Sequence, residues 1–191
     1  MKKILTLVLV LCLVILAGCG GGSQNSQPTQ ETSQEETNSY KITLIVKNLV
    51  NPMWLAVKEG AEAAAKEYGV ELTVLAPLKA DNNEEQIRQV EDAITKQADA
   101  IVLIPADSQG IIPAVEKANQ AGIPVINVNT KVGGGVTETF VAVENYDAAS
   151  KVAEAVAEKL GQKGKVIILE GKAGAQSAID LKQGAVDTFA K

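Results

Sequence analysis

The sequence predicts an α/β fold built on a doubly wound parallel sheet, on three observations. Short β-branched apolar runs alternate with stretches of helical period, the runs are mostly apolar on both faces, and the links between them are short. Strands buried between two helical layers read this way, and such alternation implies right-handed crossovers.

Taken in order, strands are expected at 42–46, 72–75, 100–104, 124–128, 140–143 and 165–169. Between the first two, Trp54, Val57, Ala61, Ala64 and Tyr68 recur every three or four residues, with Gly69 placed as a C-cap. Ile87, Val90 and Ile94 mark a second helix. Ile112, Val115 and Ala118 mark a third, with Asp107 or Ser108 expected to cap its start and Gly122-Ile123-Pro124 to end it. Val152, Val156 and Leu160 mark a fourth, closed by Gly161, and a fifth runs from about 176 to 190.

Ahead of this pattern lies an address. Lys2 and Lys3 precede an apolar run, 4–16, interrupted only by Thr6. That run is shorter than the ~20 residues a membrane-crossing helix needs, so 1–18 reads as a secretory signal peptide. It ends in Leu16-Ala17-Gly18-Cys19, which resembles the lipobox of bacterial lipoproteins. The resemblance implies a diacylglyceryl group on the Cys19 thiol and cleavage just before it. Two acyl chains suffice for stable anchoring. Residues 20–39 contain no aliphatic or aromatic side chain, so 19–39 reads as a flexible leash with a reach of about 25 Å. The folded part is expected to divide into an N-terminal lobe, 40–143, and the start of a second lobe, 144–191.

Composition excludes several functions. The 191 residues carry a formal net charge of −5 and no histidine, and Arg88 is the only arginine. Nucleic-acid binding needs a basic face, which is missing. Without histidine, and with Cys12 removed and Cys19 acylated, no Ser-His-Asp or Cys-His arrangement and no histidine or thiolate metal site is available. The paired carboxylates Glu84-Glu85 and Glu91-Asp92 lie beside an apolar helical stripe and read as a solvated face. Gly133-Gly134-Gly135 lacks the Lys-Ser/Thr of a phosphate loop, and no Gly-x-Ser-x-Gly elbow is present. No enzyme activity, metal or cofactor is expected.

Ligands of open parallel sheets bind outside the carboxyl ends of the strands. Three segments follow such ends: 47–54, 105–108 and 129–131. They bring an amide, the Asp107 carboxylate and the Trp54 indole toward one cleft. Amides and carboxylates bond hydroxyls, and an aromatic face covers the apolar side of a ring, so a small polar ligand suits them. Each residue also has a plainer role open to it: Asn51-Pro52 as a turn, Asp107 as an N-cap, Trp54 as core.

From residue 42 onward the chain resembles the type I periplasmic sugar-binding proteins, the solute receptors of ribose-type ABC importers. The resemblance rests on Asn51-Pro52-Met53-Trp54, on Ile104-Pro105-Ala106-Asp107-Ser108, on Val125-Ile126-Asn127-Val128-Asn129 and on Gly171-Lys172-Ala173-Gly174. It implies two α/β lobes that close on a sugar, with a hinge near Val143. It also implies that Asn51, Met53 and Trp54 line the cleft from one loop and Asn129 and Thr130 from another, that Gln176 approaches the ligand from the second lobe, and that an ABC transporter permease is the partner at the membrane. Met53 stands in place of a stacking aromatic, Asn129-Thr130 in place of an Asp-Arg pair, Ile104 in place of an Asn and Leu181 in place of an arginine, so a ligand other than ribose is expected. Family members continue for well over a hundred residues more, and the expectation is a fragment with half a cleft. The leading functional expectation is a lipid-anchored, extracytoplasmic receptor that captures a small polar ligand, a sugar by resemblance, for an ABC importer. The alternative is a subunit presenting the ligand to a membrane sensor.

Overall fold

The computed structural model describes residues 39–191. The signal peptide and Cys19 lie outside the described residues, as does all of the leash but Ser39.

Among the described residues five strands form one sheet in the order β2-β1-β3-β4-β5: β1 (Lys41–Ile45), β2 (Glu71–Leu75), β3 (Ala100–Leu103), β4 (Val125–Val128) and β5 (Thr139–Val141). Every pairing is parallel, with Ile45 opposite both Leu75 and Leu103, and Asn127 opposite both Leu103 and Phe140. Side chains alternate across a strand, so one apolar run feeds two cores. Ile45, Ile101 and Leu103 enter a cluster with Val90, Val115 and Ala118. Leu44, Val46 and Ile104 enter a second with Trp54, against which Val57 and Ala61 pack. Helices therefore cover both faces: α1 (Pro52–Tyr68) on one, α2 (Asn83–Thr95) and α3 (Ile112–Gln120) on the other.

The sequence punctuates these helices. Asn51 Oδ1 accepts from the Met53 N–H at 2.9 Å, Pro52 follows at the first helical position, and Gly69 closes α1 at φ 65°, a left-handed conformation that glycine adopts without strain. Asn82 caps α2 by accepting from the Glu85 N–H, while its own amide donates to the Glu85 carboxylate. The expected cap of α3 is not found. α3 starts at Ile112 without a side-chain cap, and Asp107 Oδ1 instead accepts from the N–H groups of Gln109 and Gly110, capping the turn just before the helix. Ser108 turns its hydroxyl toward Gln176.

Two further expectations are corrected. β5 is three residues long and exposed, with Phe140 at 42% and Val141 at 56%, because it is the edge of the sheet. Residues 165–169 form no strand; among the described residues no backbone hydrogen bond joins them to a neighbour, and Ile167 and Leu169 are 90% and 92% exposed. A strand exists only as part of a ladder, whatever its propensity. α4 (Asn145–Lys159) and α5 (Gln176–Phe189) pack on each other. Their approach is close enough that a Cβ on Gly184 would lie 2.2 Å from the Tyr146 carbonyl oxygen.

Candidate functional site at the carboxyl ends of the strands

Beyond β1 the chain turns sharply because Asn48, itself buried, accepts with Oδ1 from the N–H groups of Val50 (3.2 Å) and Asn51 (2.9 Å) and donates to Asp81 Oδ1 (3.3 Å). That turn leaves Asn51 and Met53 exposed at the mouth and sends Trp54 inward to 6% exposure against Leu44, Val46 and Ile104. Asn51 Oδ1 is engaged as the helix cap; its Nδ2 has no partner among the described residues.

Lys47, the residue directly after the buried β1 run, is 9% exposed. Its Nζ lies 5.6 Å from the centre of the Trp54 ring and donates to Thr130 Oγ1 at 2.8 Å. Burial pushes the Lys47 pKa down from the ordinary lysine value; the Asp81 carboxylate opposes that and the Lys172 ammonium adds to it.

Thr130, fully buried, is the meeting point. Its hydroxyl also lies 3.2 Å from Asn129 Oδ1 and 2.8 Å from Ser177 Oγ, at the start of α5. Asn129 takes φ 63°, a left-handed conformation that asparagine tolerates, and its N–H donates to the Val141 carbonyl. From β3, Asp107 faces Gly174, whose missing side chain is the reason for the fit: a Cβ there would sit 2.4 Å from Asp107 Oδ2. The Ser108 N–H donates to the Gly174 carbonyl at 2.9 Å, and the Ser108 hydroxyl accepts from the Gln176 N–H at 2.9 Å. The Gln176 side chain donates to Asp180 on its own helix at 2.7 Å. Lys172 reaches across to the Asp81 carbonyl.

The structure thus gathers Trp54, Thr130 and Asn129 around Lys47, sets Asp107 against the 171–177 turn, and leaves Asn51 and Met53 at the rim. A cavity of about 370 Å³, in the range of small-ligand clefts, opens beside this group, lined by Asn129, Lys131, Phe140, Asn145, Ser177 and Asp180. A cavity of about 330 Å³ among Glu154, Gln162, Phe189 and Lys191 lies away from the strand ends and holds none of their polar groups. Sequence reasoning passed over Lys47, Ser177 and Asp180. For Lys47 a signal existed: a lysine continuing an apolar strand without alternation sits at a buried position. Ser177 and Asp180 carried none, because only the docking of α5 brings them to the strand ends.

This geometry is a polar group at the carboxyl edge of a doubly wound sheet, met by the first turn of a further helix pair. Known proteins resemble the chain in sequence and in fold. The chain is 33% identical over 185 residues to the ribose import binding protein of Bacillus subtilis, covering 96% of this chain and 59% of that protein. It is 32% identical over 156 residues to the D-allose-binding periplasmic protein of Escherichia coli, covering 78% and 50%. Among solved structures, an ABC transporter periplasmic solute binding protein from Actinobacillus succinogenes with bound D-allose aligns at TM-score 0.73 and 35% identity, over 80% of this chain and 55% of that one. The chain therefore spans between half and three fifths of the length of these relatives, which are binding proteins by name. Residues 42–191 match the periplasmic binding protein domain, and the chain belongs to that family.

Proposed function

We propose that this chain captures a sugar outside the cytoplasmic membrane for an ABC importer, and that it is held there by lipid on Cys19. One observation carries the reading: at the carboxyl ends of β1 and β4, Lys47, Asn129 and Thr130 converge with Ser177 of the following helix pair, so donors and acceptors for hydroxyls face one place from two elements far apart in sequence. The names of the relatives support a sugar as the ligand and an importer as the partner. Asp107 and Ser108 meet Gly174 and Gln176 just before Ser177, Asn51 and Met53 stand exposed at the start of α1, and Trp54 lies beneath Lys47. The secretory signal and the Leu16-Ala17-Gly18-Cys19 motif support the anchored, extracytoplasmic address.

Titration of the chain with D-ribose, D-allose and D-fucose, followed by calorimetry, tests the ligand; saturable heat with at least one of them is expected, and its absence with all three sinks the sugar reading. The anchor is tested separately. Wild-type protein expressed in a bacterial host is expected in the membrane fraction and Cys19→Ser in the soluble one; equal partition of the two discards the anchor.

A further inference from the structure

Two buried carboxamides lie beneath the strand ends and hold the backbone where it leaves the sheet. Gln86 of α2, fully buried, donates Nε2 to the carbonyls of Val46 (3.2 Å) and Ile104 (2.9 Å) and accepts at Oε1 from the Ala106 N–H (2.7 Å). Asn127 of β4, 1% exposed, donates Nδ2 to the carbonyls of Leu103 (3.2 Å) and Thr130 (2.8 Å) and accepts at Oδ1 from the Val132 N–H (2.9 Å). β1 ends at Ile45, β3 at Leu103 and β4 at Val128, so Val46, Ile104, Ala106, Thr130 and Val132 lie just past the last paired residue of their strands. Val46 and Ile104 still donate their N–H groups to the neighbouring strands, to the Leu75 and Ile45 carbonyls, and the side-chain amide takes the carbonyls that the ladder leaves over. In both cases the nitrogen faces two carbonyls and the oxygen faces one N–H, so each amide has one orientation that satisfies its surroundings. An apolar residue of similar volume would fill the space and leave these backbone groups short of a partner.

The backbone atoms they hold adjoin the site. Val46 precedes Lys47, Ala106 precedes Asp107, and Thr130 is itself a site residue. We propose that Gln86 and Asn127 are positioning residues for ligand binding: without touching the ligand, they set the three strand-end loops that carry Lys47, Asp107, Asn129 and Thr130. The proposal rests on the reading that these strand ends bind a sugar. Polar groups must be held to within a fraction of an ångström to bond a ligand well, and side chains behind them do that holding.

The test uses the full chain with Gln86→Met and Asn127→Leu, which keep much of the volume and remove the bonds. Gln86→Glu and Asn127→Asp keep only the acceptor. Amide hydrogen exchange is read residue by residue, and binding of D-ribose, D-allose and D-fucose by calorimetry. Gln86→Met is expected to speed exchange at Ala106 roughly tenfold while Val132, Ile101 and Leu103 exchange as in the wild type; Asn127→Leu is expected to do the same at Val132 and spare Ala106. Gln86→Glu restores protection at Ala106, and Asn127→Asp at Val132, which mere filling of space would not require. Should Gln86→Met or Asn127→Leu fail to fold, the carboxylate variants, which lose the bonds to the carbonyls, are compared with the wild type: faster exchange confined to the strand-end loops away from Ala106 and Val132, together with weakened sugar binding, supports the proposal, and uniform loss of protection overturns it. In folded variants the dissociation constant of the sugar bound by the wild type rises roughly tenfold or more. Faster exchange spread evenly over β1, β3 and β4 overturns the proposal by showing a global loss of stability. Unchanged sugar affinity in the variants overturns the proposal and leaves the sugar reading standing. Failure of the wild type to bind any of the sugars overturns the sugar reading and the proposal with it.

Discussion

The Lys47 ammonium donates to the Thr130 hydroxyl across 2.8 Å, joining the end of β1 to the loop after β4. The two residues are 83 apart in sequence and neither strand pairs with the other, since β3 lies between them. Both side chains are buried, so the bond is made where water competes poorly.

Removing only the acceptor should be costly. Thr130→Val keeps the shape and leaves the buried Lys47 charge without its one hydrogen-bond partner among the described residues. Denaturant unfolding is expected to show a loss of about 1–3 kcal/mol. Lys47→Met in the same chain should recover most of it, because the stranded charge is then gone. Strict additivity of the two changes would show that the pair is not coupled.

Lys47 also sets a pH dependence. Burial holds its pKa below the ordinary lysine value of 10.5, so between the folded-state value and 10.5 the unfolded chain binds more protons than the folded one. Stability contributed by this group therefore rises with pH across that interval and is flat below it. Thermal unfolding of the wild type and Lys47→Met as a function of pH is expected to show the wild type gaining stability relative to the variant as the solution becomes alkaline. A difference constant up to pH 10.5 would contradict the burial assigned to Lys47.

Trp54 has two duties that separate experimentally. Its ring is 6% exposed among Leu44, Val46 and Ile104, so Trp54→Ala is expected to cost about 3–5 kcal/mol of folding stability. The only indole of the chain also sits 5.6 Å from the Lys47 nitrogen, so a ligand that draws on Lys47 should change its fluorescence. Ligand heat without any fluorescence change would separate Trp54 from the site.

Gly184 tests the helix pair. A Cβ there would lie 2.2 Å from the Tyr146 carbonyl oxygen, a backbone atom with little room to move, and the Ser150 hydroxyl bonds the Gly184 carbonyl in the same contact. Gly184→Ala is expected to force α4 and α5 apart and cost about 1–3 kcal/mol, the usual range for overpacking. Amide exchange should rise in α4 and α5 and stay unchanged in β1 and β3. Normal protection in α4 and α5 would refute the close packing.

Asn51 tests the start of α1. Its side chain caps α1 and borders the mouth of the site, so Asn51→Ala is expected to lose about 0.5–2 kcal/mol of stability, whereas Asn51→Asp, which keeps the acceptor, should lose much less. Equal losses in the two variants would mean that the Oδ1 bond does not cap the helix.

What the residues alone determined is the layered α/β architecture. The runs at 42–46 and 100–104 alternate side chains of equal apolarity, and only a strand with a helical layer on each face uses both sets; the two cores around Ile45 and Leu44 follow. Asn51-Pro52 and Gly69 mark the ends of α1 because capping and left-handed turns are satisfied within a few residues. The carboxyl ends of the strands were legible as the candidate site for the same reason, since parallel topology points ligands there. Tertiary structure decided everything that depends on a distant partner. Residues 165–169 have strand propensity and no ladder; Asp107 and Ser108 turn from capping α3 to meeting the 171–177 segment; Trp54 goes inward; Lys47 is buried because Thr130 is there to receive it. Period and propensity act over one turn of chain, whereas burial and the pairing of a charge depend on which residues the fold brings within about 3 Å of one another.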